Sequence, residues 1–167
     1  MHRDFDIRHG IYLCQPPHEL DLHNNFDFCG LHYSIGERFL SLHWRRSNGG
    51  WVPPRTPSSV DIEFREVSEF RFLPRDAELP FTEDDCVSTF GYWADEPWAD
   101  GVIMTGLGQT PAPRWLTAIQ FMSGATICVQ AVSAHARIAA DPPGRTRGSL
   151  SDFLEIDLEA PSRPRVL

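Results

Sequence analysis

The chain has 167 residues, of which 41% are hydrophobic and 23% charged, and a formal net charge of −8. A chain of that length fits one domain and can bury roughly 70% of the surface its unfolded form exposes. No stretch approaches the roughly 18 apolar residues of a membrane-spanning helix, and all 15 basic residues are arginine, which excludes a Walker A lysine, a Schiff base and a Ser-Lys dyad.

The N-terminal Met1-His2-Arg3-Asp4-Phe5-Asp6 carries acids where a secretory signal has a basic run followed by an apolar one. The expectation is a cytoplasmic chain with no membrane partner, made of a single globular domain over residues 1–160 and a flexible tail over 161–167. The four cysteines, at 14, 29, 86 and 128, form no CxxC pair. They read as reduced core thiols rather than a zinc or disulfide framework.

Along the chain, Phe26 to Tyr33 and Glu37 to Arg45 read as a hairpin turning at Ser34-Ile35-Gly36-Glu37. With Ile35-Gly36 as a two-residue loop, Tyr33 faces Arg38, Leu31 faces Leu40, Cys29 faces Leu42 and Asp27 faces Trp44. The opposite side then carries Phe26, Phe28, His32, Phe39, Ser41 and His43, as expected of a groove or loop-covered face. Residues 47–59, with Gly49-Gly50 and three prolines, form a loop. Val60, Ile62 and Phe64 alternate with Asp61, Glu63 and Arg65 as in a half-buried strand. Phe70 and Phe72 keep that parity and Val67 does not, which predicts a bulge or break at Glu66 to Ser68.

Thr82-Glu83-Asp84-Asp85 can open a short helix and Cys86 to Trp93 can equally form a strand. Leu116 to Met122 and Ala125 to Val132 flank Ser123-Gly124 as a second hairpin. Residues 141–148 form a loop, and Phe153, Ile156 and Leu158 suggest a last strand. Several short strands without a βαβ rhythm predict a mainly β fold, an antiparallel sandwich or a partly open barrel with at most one or two short helices, or failing that a β-rich α+β domain.

The charge is concentrated. Between Asp76 and Asp100 lie eight acids and no arginine, so the segment equals the whole net charge and the remainder balances. Phe81, Phe90, Tyr92, Trp93 and Trp98 are interleaved with these acids. Aromatic anchors beside complementary charge suit a recognition patch, and the candidate partner-binding residues are Glu83, Asp84, Asp85, Tyr92, Trp93, Asp95, Glu96, Trp98 and Asp100. Nucleic acid is a poor partner, because its recognition rests on clustered cations.

Catalytic and metal motifs are weak. Six of the seven histidines fall within the first 43 residues. His18 and His23 imitate the zincin pair with one residue too many, which puts them about 140° apart on a helix. His32 and His43 share a face in the hairpin register above, but on the order of 13 Å apart, too far for one ion. They are the candidate catalytic residues of an alternative reading, a small hydrolase or metal-dependent enzyme drawing acids from the acidic segment. Cys86 follows three acids, which disfavour a thiolate. Gly106-Leu107-Gly108-Gln109-Thr110-Pro111 has proline where a dinucleotide loop needs its third glycine. No motif calls for a metal or other cofactor.

Four runs together resemble a layout found in small bacterial β-rich domains, some of them immunity proteins of polymorphic toxin systems. They are Leu22-His23-Asn24-Asn25-Phe26-Asp27, Phe39-Leu40-Ser41-Leu42, Val60-Asp61-Ile62-Glu63-Phe64-Arg65-Glu66-Val67 and Gln120-Phe121-Met122-Ser123-Gly124-Ala125-Thr126-Ile127. The resemblance spans about residues 20 to 135, rests on strand patterning, and implies binding without a shared catalytic motif. The leading expectation is a non-enzymatic domain that offers an acidic, aromatic surface to a basic protein partner such as a toxin. A structural or oligomerising subunit is the third possibility.

Overall fold

A computed structural model describes residues 1–94, 103–105, 112 and 114–139. Acidic-segment residues 95–100, the loop of residues 141–148, the strand anticipated near Phe153 and the tail lie outside the described residues. The fold is mainly β and sandwich-like, with no closed barrel among the described residues.

Thirteen strands are described: β1 (His2–Arg3), β2 (Asp6–Arg8), β3 (Tyr12–Gln15), β4 (His18–Asp21), β5 (Phe26–Ser34), β6 (Phe39–Arg46), β7 (Ser59–Arg65), β8 (Glu69–Leu73), β9 (Val87–Trp93), β10 (Ile103–Met104), β11 (Leu116–Phe121), β12 (Thr126–Gln130) and β13 (Ser133–Ala139). They form a five-stranded sheet in the order β1-β13-β7-β6-β5, a second in the order β10-β9-β11-β12-β8, and a small sheet β2-β3-β4.

Strict alternation makes the core. Leu40, Leu42 and Trp44 on β6 and Val60, Ile62 and Phe64 on β7 are fully buried, and they meet Phe90, Ile119, Ile127 and Val129 of the facing sheet in one cluster. Successive side chains of a strand point to opposite faces, so every second residue of these strands supplies the inner layer. At Glu66 the backbone turns to a φ of 54°, and the chain leaves the first sheet to enter the second. This is the break that the parity of Val67 announces. Val67 itself is 3% exposed and its N–H donates to Arg38 O at 2.8 Å.

The hairpin β5–β6 exists, with a different register. Ser34 pairs with Phe39, Tyr33 with Leu40 and Leu31 with Leu42, so the turn is the four-residue Ile35 to Arg38 rather than a two-residue loop. Below this the register shifts between Phe28 and Gly30, and Phe28 pairs with Trp44. One unpaired residue, Cys29, reverses the parity of the strand. Phe26 is thereby only 1% exposed and Phe28 packs against the core, where the unshifted pattern had both on the outer face. The Ser123-Gly124 hairpin joins β11 to β12, with Gly124 at φ 82°. Between Pro80 and Trp93 the alternatives resolve to a single 3-10 turn, Phe81–Glu83, followed by strand β9, and Thr82 does not serve as a helix cap.

The small N-terminal sheet and strand β13 are additions to the anticipated elements. Phe5, Leu13, Leu20 and Leu22 insert into the common core. Gln15 Nε2 donates to Ala136 O at 3.0 Å on one large sheet, and Phe5 stacks on Phe90 of the other with ring centroids 6.3 Å apart. The small sheet thus covers the flank between β13 and β9. No strand among the described residues covers the flank between β5 and β8, which are terminal in their sheets.

Candidate functional site: an open flank beside the acidic segment

The two sheets meet along the uncovered flank at two aromatic contacts. Tyr33 of β5 and Phe70 of β8 have centroids 5.2 Å apart, and Phe28 of β5 and Phe121 of β11 lie at 4.8 Å. Elsewhere along this edge the sheets part, leaving a groove of about 430 Å³ lined by Phe28, Cys29, Gly30, Phe72, Ala125 and the Arg75–Asp84 pair, among others. Cys29 and Gly30, at the bulge where φ of Gly30 is 146°, form one edge of this opening.

Phe72 is the central residue of this edge. It pairs with Ile127 and shares the inward face with Phe70, yet it is 57% exposed where Ile127 is fully buried. The side chain points to the core side of its sheet, where it lines the groove together with Phe28 of the facing sheet. Leu31, also on the inward parity of a terminal strand, is 40% exposed. Inward-facing apolar residues left uncovered at one edge differ from scattered surface hydrophobics, since they expose a continuation of the core.

The described part of the acidic segment is tied to this flank. Asp85 O accepts the N–H of Phe28 at 2.8 Å, Ser123 N–H donates to Glu83 O at 3.1 Å, and Asp76 N–H donates to Ser123 O at 2.7 Å. Asp84 lies against Arg75, with Nε to Oδ1 at 3.0 Å. Its carboxyl is held below the usual carboxylate range by the Ser123 hydroxyl and by that guanidinium. The hydroxyl reaches no full hydrogen-bond geometry, so the directed contact from Arg75 is the firmer of the two. Arg75, one residue before the acidic run, also stacks over the Phe81 ring at 4.6 Å.

Asp85 behaves oppositely. Partial burial and the nearby carboxylates of Asp27, Asp84 and Glu83 push its carboxyl up. Among the described residues, the side chains of Asp27, Glu83 and Asp85 make no ion pair. Burial, followed by Asp85, Glu83, Asp27 and Asp21, likewise raises the Cys86 thiol. Cys86 Sγ lies 3.5 Å from His23 Nδ1, but the same nitrogen is 2.6 Å from Val87 O. An Nδ1 that donates its proton to a carbonyl is not available to take one from a thiol. Cys86 is therefore poorly placed as a nucleophile, as its acidic sequence context indicated. Of the other thiols, Cys14 and Cys128 are buried while Cys29 is exposed at the bulge, a departure from four core thiols.

The candidate partner-binding residues are thus divided. Glu83 and Asp84 are half-buried and Asp85 is exposed on the flank, whereas Asp95, Glu96, Trp98 and Asp100 lie outside the described residues. Tyr92 is a correction. It is only 9% exposed, on the inward face of β9, and its hydroxyl accepts from Arg3. Trp93 is half-buried against Leu116, Ala118 and Cys128 on the other face of the same sheet. Phe90 is fully buried, and Phe81 is 82% exposed. Strand alternation accounts for the division, since β9 runs through the middle of the aromatic run and buries residues on both sides.

The candidate catalytic histidines lie elsewhere, on the outer face of the β5-containing sheet. His43 pairs with Gly30 rather than Phe28, and its Nδ1 is 2.6 Å from Asp61 Oδ1. His32 pairs with Ser41, whose other neighbour Glu63 is held by Arg137 at 2.9 Å and Arg65 at 3.2 Å. The register brings His32 and His43 closer than the two-residue loop would have, but among the described residues no three His, Cys, Asp or Glu side chains group as metal ligands. No helix among the described residues is long and apolar enough to cross a membrane.

No protein-family model matches the chain, and no curated protein or solved structure matches it either.

Proposed function

We propose that this chain is a non-enzymatic binding domain that presents the acidic segment and its flank to a basic protein partner. The observation that carries the reading is that, among the described residues, the carboxylates of Asp27, Glu83 and Asp85 form no ion pair and the inward-facing Phe72 is 57% exposed. Carboxylates without internal cations hold a negative potential that steers a basic partner toward the surface and speeds association at low salt. An exposed aromatic next to them supplies the kind of anchor on which binding energy concentrates. A resemblance to immunity-type domains makes a toxin the narrower form of the partner.

The test is capture from the cells that encode the chain, using wild type and the triple variant D27N/E83Q/D85N at low and high ionic strength. Wild type is expected to retain a basic protein that is lost from the variant and from wild type at high salt. Equal recovery from both proteins would remove the acidic segment from the account. For the narrower form, expression of the captured partner alone is expected to arrest growth, and co-expression of this chain to restore it.

A further inference from the structure

We infer that the groove between β5 and β8 receives one apolar side chain from an extended basic segment of the partner, whose flanking cations reach Asp27 and Asp85. This rests on the proposed binding function and adds where and how the partner docks.

Three observations fix the occupant. The groove walls are largely apolar, formed by Phe28, Phe121, Ala125 and the exposed Phe72. A cavity of about 430 Å³ lies within the usual size range of specific pockets. Among the described residues the only charges lining it, Arg75 and Asp84, pair with each other at 3.0 Å, so the pocket itself asks for no charge.

The rim does ask for one. Phe28 forms part of the wall and its N–H donates to Asp85 O, so Asp85 borders the groove at that residue, while Asp27, on the outward side of β5, is close enough to act on the Asp85 carboxyl. A guanidinium or ammonium brought there relieves repulsion among Asp27, Glu83 and Asp85 and meets acceptors that no arginine among the described residues pairs with. An apolar residue with arginine or lysine beside it satisfies both halves, whereas an acidic segment with the same apolar anchor is repelled at the rim.

The experiment follows amide chemical shifts of the isotope-labelled full chain during titration with three synthetic peptides. One has tryptophan flanked by arginines, the second replaces that tryptophan with alanine, and the third flanks tryptophan with glutamates. The first peptide is expected to shift Gly30, Phe72 and Ala125 together with Asp27 and Asp85. The alanine peptide is expected to shift the acidic rim alone, and the glutamate peptide neither. F72S, at an exposed position, is expected to weaken the tryptophan peptide about fivefold or more while leaving the alanine peptide unchanged.

If both arginine peptides shift the rim equally and neither reaches the groove, the inference fails while the acidic binding surface stands. If neither arginine peptide shifts the rim, the binding reading fails with it. Groove shifts as large with the glutamate peptide, or appearing on concentrating the protein alone, would assign the groove to a simple apolar ligand or to a second copy and overturn the inference.

Discussion

The two flanks of the sandwich are built from the same kind of strand and finished differently. Between β13 and β9 the N-terminal sheet supplies Phe5, Leu13 and Leu20, and Phe90 beneath them has no exposed surface. Between β5 and β8 no strand among the described residues gives such cover, and Phe72, on the same inward face, is 57% exposed. An identical side chain is a structural element on one flank and an available contact on the other. The difference lies in what the topology places above it.

The largest expected effect breaks that contrast directly. F90A removes a fully buried ring stacked on Phe5 and is expected to cost about 3–5 kcal/mol of stability in chemical denaturation. F72A is expected to cost under about 1 kcal/mol, because little of its area leaves water on folding. Comparable losses from the two would show that the open flank is covered in solution.

A smaller effect tests how tightly the closed side is fitted. A Cβ on Gly91 would stand 2.4 Å from Met104 O and 2.8 Å from Ile103 Cγ2. G91A is therefore expected to displace β10 from β9 and cost about 1–3 kcal/mol, read as lost amide protection at Ile103 and Met104. On the open flank, G30A meets no neighbouring atom, and any cost arises from its φ of 146° alone.

The interior offers a change in the other direction. Thr117 is 1% exposed on the inward face of β11 and its hydroxyl finds no hydrogen-bond partner. T117V keeps the shape and removes the unsatisfied group, and is expected to raise stability by about 1 kcal/mol. A loss on substitution would mean that the hydroxyl bonds an internal water.

Much of the closed architecture was legible because it depends on alternation. Val60, Ile62 and Phe64 announce β7, and the parity of Val67 announces the crossing at Glu66, since a two-residue period is a local property of the chain. The open flank was not legible, because it depends on one unpaired residue. Gly30 within Phe26 to Tyr33 is compatible with a bulge but does not fix its place, and the shift at Cys29 moved Phe26 and Phe28 to the core side, while the four-residue turn set His43 opposite Gly30. The small N-terminal sheet escaped for a related reason. Its strands of three or four residues are too short to display a period, and the core into which they pack is built by other parts of the fold. In the acidic segment the composition was plain, but the sorting of Asp84 from Asp85 and of Tyr92 from Phe81 depends on Arg75 and on the register of β9. Both are tertiary facts.

That sorting gives the most delicate prediction, in which two adjacent aspartates carry opposite pH signatures. The folded pKa of Asp84 is depressed beside Ser123 and Arg75. Its ionised form therefore adds stability above the unfolded value of about 3.9, and this is lost as pH falls through the lower folded value. Asp85 has its folded pKa raised by burial and by Asp27. Its charge therefore opposes folding above that raised value, and the opposition vanishes below about pH 3.9. D84N is expected to destabilise and D85N to stabilise at neutral pH, with both differences disappearing in acid when denaturation midpoints are followed against pH. Shifts of the same sign would mean that Arg75 serves both carboxylates, leaving the rim already neutralised and without the uncompensated charge that a basic partner needs.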